Sequence, residues 1–142
     1  MTVAALIERD GCFLLVQERV DGLSVLNQPA GHLEDNESLL AAVARETREE
    51  TGWQFEPDAI TGIYRWREPL GQQTYIRVGF SGRLLAHDPD MPLDEGIEQT
   101  LWLTPNELEQ QQQRLRSPLV LRCVHDYLSG ARYSLGLLND IV

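Results

Sequence analysis

Short apolar runs broken by turn residues open this chain, and the first helical period begins only near Leu40. Thr2 to Glu8 and Cys12 to Glu18 are apolar-rich and join at Arg9-Asp10-Gly11, which reads as a hairpin with a glycine-containing turn. Between Arg19 and Leu26 the strong turn pair is Asp21-Gly22, so this stretch reads as a loop leading to a short extended piece before Pro29. Leu40, Val43, Ala44, Thr47 and Thr51 then form a stripe at helical spacing. Asp35 and Asn36 offer N-cap oxygens for that helix, and Gly52 closes it.

Trp53 to Ile60, with Pro57-Asp58, reads as a connection. Ile63 to Glu68 and Thr74 to Leu85 are expected to be antiparallel strands across the Pro69 to Gln73 loop. Ala86 to Gly96 is polar with two prolines, an exposed loop suited to a flexible lid. Ile97 to Leu103 returns as a strand. Thr104-Pro105-Asn106-Glu107 is a capping box with proline at the first helical position. Ser117-Pro118 starts a final helix through about Leu128, which Gly130 ends, and Gln110 to Gln113 suits an exposed helix face. Strands mixed with helices in this order give an α/β fold with a mixed β-sheet between helices.

Length and charge narrow the picture. The 142 residues suffice for one core, so residues 1–142 are expected to form a single domain. A net charge of −10 speaks against a nucleic-acid duplex or an anionic membrane as partner, and an anionic substrate would need a bridging metal. Cys12 and Cys123 are too few for a disulfide framework; both are expected to be buried and inert. The opening apolar run is too short for a secretory signal, and no run reaches membrane-spanning length, so the expected location is a reducing cytoplasm.

The chemistry concentrates between Gly31 and Trp53. On a helix Glu46, Glu49 and Glu50 stand at i, i+3 and i+4 and project from one face. Like charges at this spacing cost about 0.2–0.5 kcal/mol per exposed pair, a cost that reverses when a hard divalent cation sits among the oxygens. Gly31 marks a loop whose backbone can pass close to that edge, where a carbonyl could supply one more oxygen. A solvated acidic face is the plain alternative for such a charge run.

Gly31, Glu37, Arg45, Glu46, Glu49, Glu50 and Gly52, with Trp53 at the closing apolar place, resemble the Nudix box of the Nudix hydrolases. Thr47 departs from the pattern, standing where that family usually carries an aliphatic residue; its hydroxyl is placed to bond back to the Val43 carbonyl. Asn27 to Glu34, Leu115 to Val120 and Ser129 to Tyr133 are similar to the NudJ-type phosphatases, a subgroup of the family.

The resemblance implies an α/β/α sandwich and a Mg²⁺- or Mn²⁺-dependent enzyme acting on a small phosphorylated substrate. It implies Gly31, Glu46, Glu49 and Glu50 as metal ligands, and a Glu37–Arg45 pair bracing loop against helix. The residue that takes the proton from water varies within the family: Glu49 or Glu46 comes first here, with Glu95 and Glu98 as outside candidates. The substrates implied are nucleoside tri- and diphosphates or a small pyrophosphate such as hydroxymethylpyrimidine pyrophosphate, with release of orthophosphate. The rivals are a MutT-like pyrophosphohydrolase that releases pyrophosphate, a less favoured ADP-ribose pyrophosphatase, and a non-catalytic nucleotide-binding module.

Outside the box, Arg77 and Trp66 are the candidates for gripping phosphate and stacking on a base, weighed against core packing. Arg116, Tyr127, Arg132 and Tyr133 are candidates for a substrate rim. His32, His87 and His125 have no partners at metal spacing, so solvent or backbone contacts are expected for them. Monomer and homodimer both fit.

Overall fold

The structure is a computed structural model that describes every residue from Met1 to Val142. Eight strands and three α-helices follow in the order β1 (Thr2–Leu6), β2 (Glu8–Arg9), β3 (Cys12–Val20), β4 (Leu23–Asn27), β5 (Ala30–His32), α1 (Leu39–Thr51), β6 (Trp53–Arg67), β7 (Thr74–His87), β8 (Ile97–Leu103), α2 (Pro105–Gln110) and α3 (Leu119–Leu128). One sheet has the order β5-β1-β7-β6, with β1 and β7 parallel and the other pairs antiparallel. In the second sheet β3 pairs with β2, β4 and β8, all antiparallel.

The two-residue period of β1 divides the core. Val3, Ala5 and Ile7 face α1 and pack with Val43, Phe55, Ile60, Val78 and Phe80. Leu6 faces the other way, into a cluster with Phe13, Leu26, Tyr64, Leu108, Val120 and Val124 under α3. The mixed sheet therefore has a helix on each face, the expected α/β/α arrangement. Each large apolar side chain removed from water contributes roughly 1.5–3 kcal/mol, so both faces bind their helices firmly. Tyr64 Oη adds a 2.8 Å hydrogen bond to Asp126 on α3.

Several expectations change. The opening strands do not lie side by side in one sheet: the Asp10-Gly11 hairpin joins β2 to β3, while β1 pairs with β5 and β7. Arg19 to Leu26 is a second hairpin rather than a loop, because Asp21 (φ 50°) and Gly22 (φ 79°) both adopt the left-handed conformation of a tight two-residue turn. Trp53 to Ile60 belongs to β6. Its Pro57 is tolerated because β6 is an edge strand and the register shifts between Pro57 and Ala59.

The cap of α1 is Ser38, whose Oγ accepts from Ala41 N at 3.1 Å, while Asn36 is turned away at φ 62°. Gly52 ends the helix at φ 76° and donates its N–H to Arg48 O at 2.8 Å. The capping box of α2 forms as expected, but α2 stops at Gln110, and Gln112–Arg114 is a separate 3₁₀ turn. Cys123 is buried and Cys12 only half-buried; both are free thiols. No helix is long and apolar enough to cross a membrane.

Candidate active site

The site forms where the acidic edge of α1 meets β5 and the loop after β7. Thr47 and Thr51 are buried on the inner side of α1, Thr47 Oγ1 bonding back to Val43 O at 2.8 Å as its position suggested. That orientation turns Glu46 and Glu50 toward β5 and leaves Glu49 on the open side of the helix beside Arg45. Glu46 lies so close beneath Gly31 that a Cβ at residue 31 would overlap its carboxylate. Glycine is needed there for close approach, whatever its φ.

The Glu37–Arg45 pair is bidentate, with Nη2 at 2.7 Å from Oε1 and Nε at 3.0 Å from Oε2. Arg45 Nη1 also reaches Glu46 at 2.8 Å and Glu49 at 3.2 Å, and Nη2 donates to His32 O at 3.1 Å. One guanidinium thus joins the loop, β5 and the helix. The same contacts hold the Glu37 carboxyl below the usual carboxylate range and raise the Arg45 pKa further.

Burial acts in the opposite sense on the inner carboxylates. It pushes Glu50 up to about 9, against the pull of the Ala30 N–H that donates to Glu50 Oε1 at 2.9 Å. Burial also raises Glu46, with Arg45 opposing.

The loop from Asp88 to Gly96 is fastened to the end of α1. Asp88 N donates to Gly52 O at 3.0 Å and Asp94 N to Glu49 O at 2.9 Å. These bonds replace the expected free lid with a strap that carries Asp94 onto the helix edge. The Glu46, Glu49 and Asp94 carboxylates offer oxygens that all lie within 4.8 Å of one another. Three hard, anionic donors this close suit a divalent cation such as Mg²⁺.

Sequence reading missed Asp94, because nothing in a loop with four acids says which one folds back onto the helix. Glu95 is exposed, and Glu98 bonds Gln17 and Ser24 on β3 and β4. Neither joins the converging carboxylates.

A cavity of about 210 Å³ begins at Gly31 and His32 and runs across the α3 face of the sheet. Trp66 and Tyr75 form its wall as a stacked pair with centroids 5.8 Å apart, and Arg77 and Asn27 also line it. The structure thus brings both Arg77 and Trp66 to one cavity. Of the rim candidates, Arg116 lines it, whereas Arg132 lies over the Tyr127 ring and Tyr133 bridges to Ile60. His87 stacks on Trp53 and lies 3.2 Å from Thr51 O; His125 Nε2 is 3.3 Å from Glu109.

The family profile for the NUDIX domain matches residues 1–122. The phosphatase NudJ of Escherichia coli K12 is 38% identical over 140 residues, covering 99% of this chain and 90% of the relative, and that of Shigella flexneri matches equally. Among solved structures, a NUDIX hydrolase from Nitrosomonas europaea superposes with a TM-score of 0.97 at 46% identity, covering 99% of this chain and 95% of that one. A UDP-X diphosphatase, at 20% identity and a TM-score of 0.76 over 94% of this chain and 64% of that one, shares the fold.

Proposed function

Because the chain belongs to the Nudix family of hydrolases, we propose that it cleaves the phosphoanhydride bond of a nucleoside tri- or diphosphate, or of a related small pyrophosphate, with Mg²⁺ or Mn²⁺ bound at Glu46, Glu49 and Asp94. The observation that carries this reading is the convergence of those three carboxylates at the edge of α1, where Glu46 lies against the Gly31 backbone. The whole of residues 1–142 serves as one domain in this reading, with Glu50 and the Gly31 carbonyl completing the oxygen set. When bound, the cation neutralises phosphate oxygens and makes water a better nucleophile.

The chain's own groups supply the rest. Arg45 keeps Glu46 and Glu49 in place, and Gly31 lets the backbone approach them. A carboxylate not fully engaged by the cation takes the proton from the attacking water. Glu49, half-buried and on the open side of the helix, is the first candidate, followed by Glu46.

The relative's name, phosphatase, supports orthophosphate as a product, and hydroxymethylpyrimidine pyrophosphate belongs in the substrate panel beside nucleotides. The test is incubation with Mg²⁺ and nucleoside di- and triphosphates or that pyrophosphate, with orthophosphate and pyrophosphate assayed separately. Orthophosphate release is expected. Pyrophosphate as the product moves the assignment to a MutT-like reaction, and nucleotide binding with no product from any substrate overturns the hydrolase reading.

A further inference from the structure

Arg77 is a buried cation without an acid. It is 5% exposed, and none of the protein's ion pairs includes it. Its guanidinium rests on neutral acceptors, with Nη1 donating to Gln28 Oε1 at 2.9 Å and Nη2 to Asn27 Oδ1 at 3.2 Å, while Nε is buried with no partner at all. Buried charges are ordinarily paired, because desolvation costs several kcal/mol per ion. This one keeps its charge beside a cavity.

The two amides differ in what they leave free. Gln28 is spent: its Nε2 donates to Val120 O at 2.8 Å, which fixes the amide with Oε1 toward Arg77. Asn27 uses only its oxygen, so its Nδ2 keeps two N–H donors at the cavity. The floor of the cavity therefore presents donors and positive charge. Glu18 and Glu68 line the same cavity and repel a second anionic group, while Trp66 and Tyr75 line it as a stacked aromatic pair. A neutral, planar ligand carrying acceptors satisfies all of these at once.

Position agrees with this. Thr2 is the strand neighbour of both Arg77 and His32, so Arg77 sits two strand spacings, about 10 Å, from the edge strand at the carboxylate cluster. Glu46 lies beneath Gly31 on the α1 face and Arg77 on the α3 face, so a substrate that reaches both passes round the β5 edge and needs a linker longer than those two spacings.

We propose that Asn27 and Arg77 are the specificity-determining pair of this enzyme, reading a carbonyl oxygen or ring nitrogen on a heterocyclic head group that lies against Trp66. Gln28 is the positioning residue that holds Arg77 to α3. The proposal rests on the reading above for placing the substrate's phosphates at Glu46, Glu49 and Asp94, but its test needs neither metal nor turnover.

Uridine 5′-monophosphate, adenosine 5′-monophosphate and ribose 5-phosphate are titrated calorimetrically into the protein in EDTA. All three carry one phosphate, and the last has no base. At least one nucleotide is expected to bind tenfold or more tightly than ribose 5-phosphate. Asn27→Asp, which removes both donors and gives Arg77 a carboxylate, is expected to erase that difference without lowering Tm. Asn27→Ala serves as a second variant should the first alter the fold.

Equal binding of ribose 5-phosphate and the nucleotides overturns the proposal in favour of an anion site. So does the absence of nucleotide binding at millimolar ligand, or full discrimination in both Asn27 variants. Base-dependent binding without hydrolysis of any substrate leaves the pair standing and removes the hydrolase reading alone.

Discussion

Arg45 engages Glu37 on one side and Glu46 and Glu49 on the other, and that geometry makes Glu37 the acid whose loss is easiest to read. Its carboxyl is held down mainly by the Arg45 hydrogen bonds, so its folded pKa lies below its unfolded value. Such a group stabilises the protein above the unfolded pKa, and the contribution disappears as pH falls through the folded one. Glu37→Gln is therefore expected to cost on the order of 1 kcal/mol at pH 7 and progressively less below pH 4, as measured by urea unfolding of both proteins across that range. A pH-independent difference would show that the pair contributes packing rather than charge. Glu50→Gln keeps an acceptor for the Ala30 N–H and nearly the same shape, so Tm should hold while turnover drops by 100-fold or more. Unchanged turnover would remove Glu50 from the metal site. Asp94→Asn should lower turnover tenfold or more and raise the Mg²⁺ concentration needed for half-maximal rate.

At the scale of elements, the contact between β5 and α1 is the least forgiving. Gly31→Ala places a methyl group against the Glu46 carboxylate, and activity should be lost with a smaller effect on folding, checked by circular dichroism beside the assay. Gly52→Ala acts on the strap: a Cβ there meets Asp88 O at 2.7 Å and must adopt φ 76°, so a loss of about 1–3 kcal/mol is expected together with weaker metal binding.

The helix that carries these groups was legible in the sequence because its stripe, its closing glycine and its acidic edge all describe one local unit. The capping box of α2 and the β6–β7 hairpin were legible for the same reason. What escaped depended on distant partners. Pro57 looks like a break until β6 is known to be an edge strand, and Asp94 looks like any other loop acid until its backbone N–H meets Glu49 O. Asn27 and Gln28 stood out in the sequence only as part of the stretch similar to the NudJ-type phosphatases, and only α3 and β7 show what they hold.

Over the whole molecule, a net charge of −10 and three converging carboxylates set ligand-free protein against its own repulsion. Added Mg²⁺ or Mn²⁺ should raise Tm, by the equivalent of about 2.7 kcal/mol at a hundredfold excess over Kd. EDTA should reverse the shift, and NaCl at equal ionic strength should fail to reproduce it.

The placement of β1 has a consequence for how the protein is made. This strand lies between β5 and β7, and its parallel neighbour begins at Thr74. On a ribosome adding ~5–20 residues per second, one edge of the first strand waits several seconds for a partner. In that interval its apolar residues are only half covered. Chaperone capture of the nascent chain should therefore be strongest before β7 emerges and fall once the β6–β7 hairpin docks.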